Sequence, residues 1–132
     1  MIDAIYLVVA AFALLETKHL IADFFLQSGY QLAHKGIYGH PGGLLHAAIQ
    51  ACGSSPVFLL IAPPATVAAA LIVGEFLLHY HIDWVREQVD NRWKLYPDGG
   101  PYWRVLGIDQ WLHHMTYVGF VVVLGATTHS TP

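Results

Sequence analysis

Apolar residues fall in four long runs along this chain, and most polar residues are gathered between them. Each run approaches the ~20 residues that an α-helix needs to cross the hydrocarbon core of a bilayer. The second is the least regular, because Gly-Ser-Ser-Pro interrupts it at residues 53–56. Helices are expected, since lipid offers the backbone no hydrogen-bond partners. The pattern therefore predicts an all-α fold, with residues 1–132 forming one integral membrane four-helix bundle. The predicted spans are about residues 4–25, 44–62, 65–83 and 105–127.

The composition agrees with a membrane location. Hydrophobic residues make up 55% of the chain and charged residues 11%, which is less than half of the quarter usual in soluble domains. Six Lys and Arg with nine Asp and Glu are too few to cover a soluble globule of this size. The net charge of -3 and the absence of basic clusters argue against a nucleic-acid partner. A single cysteine, Cys52, can form no internal disulfide.

Basic residues in the connections predict the orientation. They lie in the first and third connections, about residues 27–43 and 84–104, whereas the second connection and both termini contain none. The positive-inside rule then places these two connections in the cytoplasm and both termini on the outer side. We interpret Lys35, Arg86 and Arg92 as topology determinants. The expected location is the bacterial inner (cytoplasmic) membrane, as a multi-pass protein whose main partner is the lipid bilayer.

Histidine and aspartate residues recur inside the apolar helices, where each is costly and needs a reason. Three His/Asp pairs have a spacing of four residues, which brings two side chains to one helix face with ~5–6 Å between Cβ atoms. On the first and third helices the His and Asp residues follow the apolar run, and on the second and fourth helices they precede it. All four helices should therefore bring them to one depth, near the cytoplasmic interface. The seven residues are His19, Asp23, His46, His79, Asp83, Asp109 and His113.

This set of side chains predicts a metal site. Imidazole nitrogens and carboxylate oxygens are ligands for zinc, manganese or iron, and no thiolate takes part. Seven donors exceed the needs of one tetrahedral ion, so we expect one or two divalent ions, with zinc first and manganese or iron as alternatives. Glu75 and Glu16 are the candidate catalytic groups, either as a general base or as partners that orient a ligand.

The other five of the nine histidines are left out of this set. His34 and His40 lie in the first connection and His129 lies in the tail, where we expect solvated side chains. His81 and His114 are rotated about 200° and about 100° around their helices from the neighbouring candidates. Both are therefore predicted to lie off the site.

The sequence around these residues resembles a known family. The segments 19–27 (HLIADFFLQ), 44–47 (LLHA), 75–83 (EFLLHYHID) and 109–114 (DQWLHH) resemble a bacterial and phage family of small membrane proteins, catalogued as a domain of unknown function. They are also distantly similar to the inner-membrane proteins named membrane-bound metal-dependent hydrolases. The resemblance spans about residues 5–125. It implies a metal site but no particular substrate.

The leading functional hypothesis is a metal-dependent membrane hydrolase that acts on a membrane-associated substrate, such as a phosphoester of a lipid. Metal ions would activate water and bind the phosphate. One alternative is a metal-free structural or protein-interaction membrane protein, held together by interhelical His–Asp pairs. Another is a haem-binding membrane cytochrome, since histidines lie on four different helices. A transporter is less favoured, because the outer halves of the last three helices lack ionisable residues.

Overall fold

The structure is a computed structural model that describes residues 4–128. Within this range it contains five α-helices, one short 3₁₀ segment and no strand, which confirms the prediction of an all-α fold. His129 lies outside the described residues. In chain order the elements are α1 (Ala4–Phe24), α2 (Gly29–His34), α3 (Pro41–Gly53), the 3₁₀ segment (Ser55–Leu59), α4 (Ala65–Trp93) and α5 (Gly100–Thr128).

Two helices in the described part of the chain are long and apolar enough to cross a membrane. They cover Ile5–Phe24 and Ala65–Trp93, and their most apolar stretches have mean hydropathies of 1.7 and 1.5. Only 22% and 17% of the residues in their most apolar stretches are buried inside the fold. Most of the apolar surface of α1 and α4 therefore faces outward. The structure offers two candidate spans where the sequence predicted four.

The second apolar run differs from the prediction of one helix over residues 44–62. α3 ends at Gly53, and the 3₁₀ segment Ser55–Leu59 follows it. Pro56 lies at the start of this segment, and it has no backbone N–H with which to continue the α-helix. The 13 residues of α3 extend ~20 Å, which is short of the ~30 Å core of a bilayer. As an α-helix, this run does not reach across a membrane.

The third connection is shorter than the predicted residues 84–104, because its first part continues the third helix, as the sequence allowed for residues 84–94. α4 continues past residue 83 to Trp93, and α5 begins at Gly100, so the predicted segment 84–104 contains only six residues outside the helices, 94–99. Lys94 ends α4 in the left-handed conformation, with φ of 51°, and its N–H binds the Asp90 carbonyl. The two helices form a long antiparallel hairpin that extends beyond the end of α1.

Apolar and polar residues occupy different ends of the interior. α3 and α5 both pack on α4, and α1 packs on α5 and α3. Gly43 allows α3 to approach α4 closely, because a Cβ there would lie 3.3 Å from the Tyr80 ring. We call the buried apolar set near the chain termini the apolar core. It consists of Ala11, Leu15, Val57, Ile61, Tyr117, Phe120, Val121 and Leu124.

Candidate metal centre

The seven predicted ligands come from four helices and meet in the interior of the fold. Six of them expose at most 6% of their surface, and the Asp23 side chain exposes 8%. Contacts of 3.0 to 3.7 Å between side-chain nitrogen and oxygen atoms join all seven in one chain. We call this set the His/Asp cluster. In spatial order it runs His19, Asp23, His46, His79, Asp83, His113 and Asp109.

The centre of the His/Asp cluster is His46 on α3. Its Nε2 lies 3.0 Å from Asp23 Oδ1 on α1 and 3.3 Å from Asp83 Oδ2 on α4. The same nitrogen is 3.0 Å from Nε2 of His79, also on α4. Two imidazole nitrogens and two carboxylate oxygens therefore share one small volume. Carboxylates brought this close together need protons or a cation between them.

A second group of donors lies between α4 and α5. His113 Nε2 is 3.5 Å from Asp83 Oδ1 and 3.7 Å from Asp109 Oδ1. Among the described residues, His113 Nε2 and Asp109 Oδ1 are both buried without a hydrogen-bond partner. A buried polar atom without a partner is destabilising. Two such atoms that face each other across this distance suit a shared cation.

The donor geometry fits divalent metal binding. Asp23, His46 and His79 form one group of three ligand atoms within 4.8 Å of one another, and His79, Asp83 and His113 form another. Tetrahedral zinc, with bonds of ~2.0–2.1 Å, separates its ligand atoms by ~3.3–3.4 Å. The first group shows separations of 3.0 to 3.9 Å. Because the groups share His79, whose Nε2 can bind only one ion, a second ion would depend on the remaining donors.

With neutral imidazoles, the charges around the His/Asp cluster are not balanced by the other protein groups. Four carboxylates and two ammonium groups lie in or beside it, and the nearby guanidinium of Arg86 is offset by its ion pair with Asp90. If the imidazoles are neutral, two negative charges remain, which is the charge that one divalent cation neutralises. The carboxylates belong to Asp23, Glu75, Asp83 and Asp109, and the ammonium groups belong to Lys18 and Lys35.

Lys35 corrects a sequence-based interpretation. It was expected to act as a topology determinant in a connection, but its side chain is 5% exposed and its Nζ lies 2.8 Å from Asp83 Oδ2. The first connection folds over the cluster because it is tied to α4: Gln88 donates to the Gly36 carbonyl at 2.8 Å, and the Tyr80 hydroxyl accepts from a backbone N–H in the same turn. Lys35 is thus part of the site.

Polar side chains beyond the seven predicted ligands also hold the cluster in place. Gln50 Nε2 donates to Asp23 Oδ1 at 2.5 Å. The Tyr117 hydroxyl lies 3.1 Å from His19 Nδ1 and 3.0 Å from the ammonium of Lys18. Gln50 and Tyr117 each follow a predicted histidine by four residues, so their helix positions carried a usable signal.

The two candidate catalytic glutamates lie beside the cluster. Glu75 is 2% exposed and forms an ion pair with Lys18. Glu16 Oε2 lies 2.5 Å from Nδ1 of His114. Neither glutamate forms an ion pair with a predicted metal ligand in the described part of the chain. A general-base role for them gains no support from these positions.

The remaining described histidines have other partners. His81 is exposed and lies 3.2 Å from the Tyr38 hydroxyl. His114 pairs with Glu16, and its ring meets the His19 ring edge-on with centroids 5.8 Å apart. His34 and His40 differ from the expectation of solvated side chains. Their rings stack with centroids 4.0 Å apart, and His40 caps α3 by accepting from the Gly42 N–H.

A cavity of about 300 Å³ borders the His/Asp cluster. Three cluster carboxylates line it, and the cations Lys35 and Arg86 line it as well. We call it the polar cavity. In this cavity, carboxylates that can bind a metal lie near cations that can bind an anion. The polar lining consists of Asp23, Gln27, Lys35, Asp83, Arg86, Tyr102, Asp109 and Gln110.

The chain matches one family model, described as a protein of unknown function (DUF3307), over residues 11–131. The chain belongs to this family. The match includes every residue of the His/Asp cluster, and it confirms the resemblance to a family of unknown function that the His/Asp segments indicated. No curated protein and no solved structure matches the chain.

Proposed function

We propose that this protein is a metal-dependent hydrolase that cleaves a phosphoester of a membrane-associated substrate. One observation carries the proposal: two His/Asp donor groups sharing His79 lie beside a cavity that Lys35 and Arg86 also line. The carboxylates and imidazoles would bind the metal, and the two cations would bind the phosphate oxygens. Phosphoester hydrolysis requires both functions at one place.

The reaction transfers the phosphoryl group to water. The donor groups around His79 would hold a divalent ion, which would supply an activated water and neutralise phosphate charge. The water oxygen forms a bond to phosphorus, and the bond from phosphorus to the alcohol oxygen breaks. The water gives up a proton and the leaving oxygen receives one, so the products are an alcohol and a phosphate. Lys35 and Arg86 would hold the phosphate in line for this attack.

The proposed setting is the inner membrane of a bacterium. α1 and α4 would span it, and α5 and the run from α3 through the 3₁₀ segment would complete a four-segment bundle. The polar cavity would then open at the cytoplasmic headgroup level, beside the basic residues of the α4–α5 hairpin. Both termini would lie outside. A C-terminal reporter that is active only in the cytoplasm should be silent. An active reporter would show that the orientation is the opposite of the proposed one.

The metal itself is the first point to test. Nitrogen and oxygen donors without sulfur suit zinc, and they also suit manganese or iron. Elemental analysis of protein purified in detergent should find one or two divalent ions per chain. Protein without metal that also takes up none from added zinc, manganese or iron would contradict the proposal.

Hydrolysis is tested with a simple lipid-like phosphoester. Metal-loaded protein in nanodiscs should release inorganic phosphate from dodecyl phosphate, and chelation should stop the release. Asp83→Asn should abolish activity, because Asp83 contacts three histidines of the cluster. His34→Ala is the matched control, since His34 makes its contacts outside the cluster. Metal binding without phosphate release from any phosphoester would mean that the protein binds metal but is not a hydrolase.

A metal-free membrane protein is the second candidate, because the two excess negative charges near the cluster can be balanced without a metal. Two protonated imidazoles would balance them as well as one divalent ion. In that case unfolding would be insensitive to chelators. A haem protein is disfavoured by the geometry: His46 and His79 approach to 3.0 Å between Nε2 atoms, and the His79 and His113 ring centroids are 4.1 Å apart. These separations leave no slot for a porphyrin.

A further inference from the structure

An apolar groove runs along the outer face of the α4–α5 hairpin, next to the polar cavity. Its volume is about 410 Å³. Arg86 and Asp109 line both the groove and the polar cavity, so the two spaces adjoin at these side chains. The rest of the lining is almost entirely apolar. It consists of Leu78, His81, Ile82, Val85, Val89, Trp93, Val105, Ile108 and Leu112.

Arg86 stands at the junction of these spaces. Its guanidinium lies 3.1 Å from Asp90 Oδ2 and 3.6 Å from Glu87 Oε1. Its buried Nε has no hydrogen-bond partner among the described residues. The ring of Tyr102 packs 5.2 Å from the guanidinium carbon and holds the group in place. A guanidinium held in this way on the wall of the polar cavity is suited to an anionic oxygen, and phosphate is an anion that arginine binds well.

The position of the groove fits an amphiphile better than bulk lipid. The distance from Ala65 to Asp83 along α4 is ~27 Å, close to the ~30 Å of a bilayer core. The groove begins at Leu78 and reaches Trp93, so its far part lies ~10–15 Å beyond Asp83 along the helix. With Asp83 at the headgroup level, the apolar groove extends past the ends of the lipid tails. In that region the tails of bulk lipid do not cover it.

We infer that this groove binds one hydrocarbon chain of the substrate while Arg86 binds its phosphate. The substrate class is a phosphorylated single-chain amphiphile, or a phospholipid with one chain lifted into the groove. The inference rests on the proposed function for the reaction, but chain binding can be measured without turnover. A second copy of the protein would be the other occupant of such a groove.

The experiment compares two non-hydrolysable ligands with the same headgroup, dodecylphosphonate and butylphosphonate. Binding to metal-loaded protein in nanodiscs is measured by calorimetry, and partitioning into empty nanodiscs is subtracted. The dodecyl ligand should bind at least ~10-fold more tightly, because the additional methylenes leave water for the groove. Equal affinities in the unaltered protein would overturn the inference whatever any variant does.

Two tryptophan substitutions on α5 locate the effect. Ile108 lines the groove and is 60% exposed, whereas Val122 lies outside the lining and is 64% exposed. Ile108→Trp should remove most of the chain-length preference, and Val122→Trp should keep it. Arg86→Gln should weaken both phosphonates about 10-fold, since they share the headgroup. A preference that survives Ile108→Trp, or that both tryptophans abolish equally, would contradict the inference.

The outcomes for the reaction and for the groove are separable. Chain-dependent phosphonate binding without phosphate release from dodecyl phosphate would remove the hydrolase proposal and retain the groove. Phosphate release with no chain-length preference would retain the hydrolase and remove the groove. If Ile108→Trp changes the protein from dimer to monomer without altering phosphonate binding, the groove is an interface between two copies and the inference is wrong.

Discussion

The two ends of the interior are built from the same helices but follow different physical rules. At one end, the apolar core packs aliphatic and aromatic side chains from α1, α5, the 3₁₀ segment and Ile61 just after it. At the other end, the His/Asp cluster packs imidazoles and carboxylates at hydrogen-bond distances. Each side chain of the apolar core contributes mainly its own contacts, because dispersion is a sum over neighbours. Each group of the cluster matters through the others, because a buried charge depends on its partners.

This difference predicts which region binds metal and how mutations combine. A change in the apolar core should lower stability without altering the bound ion. A change in the cluster should alter metal affinity, and two changes there should not add.

The largest effect is expected from two aspartates at the centre of the cluster. Asp23→Asn and Asp83→Asn keep size and polarity but remove charge beside His46. Each single change should lower metal affinity by at least ~100-fold, beyond the range typical for groups that only orient a ligand. The double variant should lose far less than the product of the two, since the residues share ions. Metal titration measures this. Two losses that simply multiply would show that no common site exists.

The next largest effect concerns the apolar core. Leu15 on α1 is fully buried, whereas the neighbouring Leu14 is 42% exposed. Leu15→Ala should lower the free energy of unfolding by about 2 kcal/mol, at the low end for such changes, because lipid rather than water surrounds the separated helices. Leu14→Ala should have little effect. Denaturation in mixed micelles measures both. Metal content should stay at the unaltered value, and its loss in Leu15→Ala would mean that the two regions are coupled.

A smaller effect, of opposite sign, is expected at Lys35. Its ammonium lies 2.8 Å from Asp83 and would compete with a metal ion for that carboxylate. Lys35→Met should therefore raise metal affinity, by about 10-fold, while it weakens phosphonate binding. Arg92→Met is the control, because Arg92 is an exposed basic residue near the end of α4. If the affinity of Lys35→Met falls instead, Lys35 supports the ligand geometry and does not compete with the ion.

The smallest effect is expected at His114, the histidine next to His113. It binds Glu16 outside the cluster, and its side chain is 41% exposed. His114→Ala should change metal affinity within about a factor of two, as is usual for partly exposed positions. A loss as large as that of Asp83→Asn would extend the site to the Glu16 side of α1.

The cluster could be predicted from the sequence because helix periodicity and depth are local properties. The spacing of His19 and Asp23 places them on one face of a helix. The end of the apolar run at which they lie places them at one level with His79 and Asp83. The helix ends were harder to predict. The break after Gly53 depends on a proline at the start of the 3₁₀ segment, and the length of α4 depends on its packing against α5 beyond the apolar run.

The sequence by itself determined the all-α fold, the His/Asp set and the kind of ligand that these side chains can bind, because these follow from spacing and from the chemistry of the donors. Only the tertiary structure decided that the first connection folds over the cluster so that Lys35 pairs with Asp83. It also decided that Gln50 and Tyr117 contact the cluster. It also decided that Arg86 joins an apolar groove to the polar cavity. The spacing of Gln50 and Tyr117 from predicted histidines places them on the right helix faces, but the spacing alone does not give their partners. Those partners depend on which helices pack together and where a connection folds back, and these are long-range contacts.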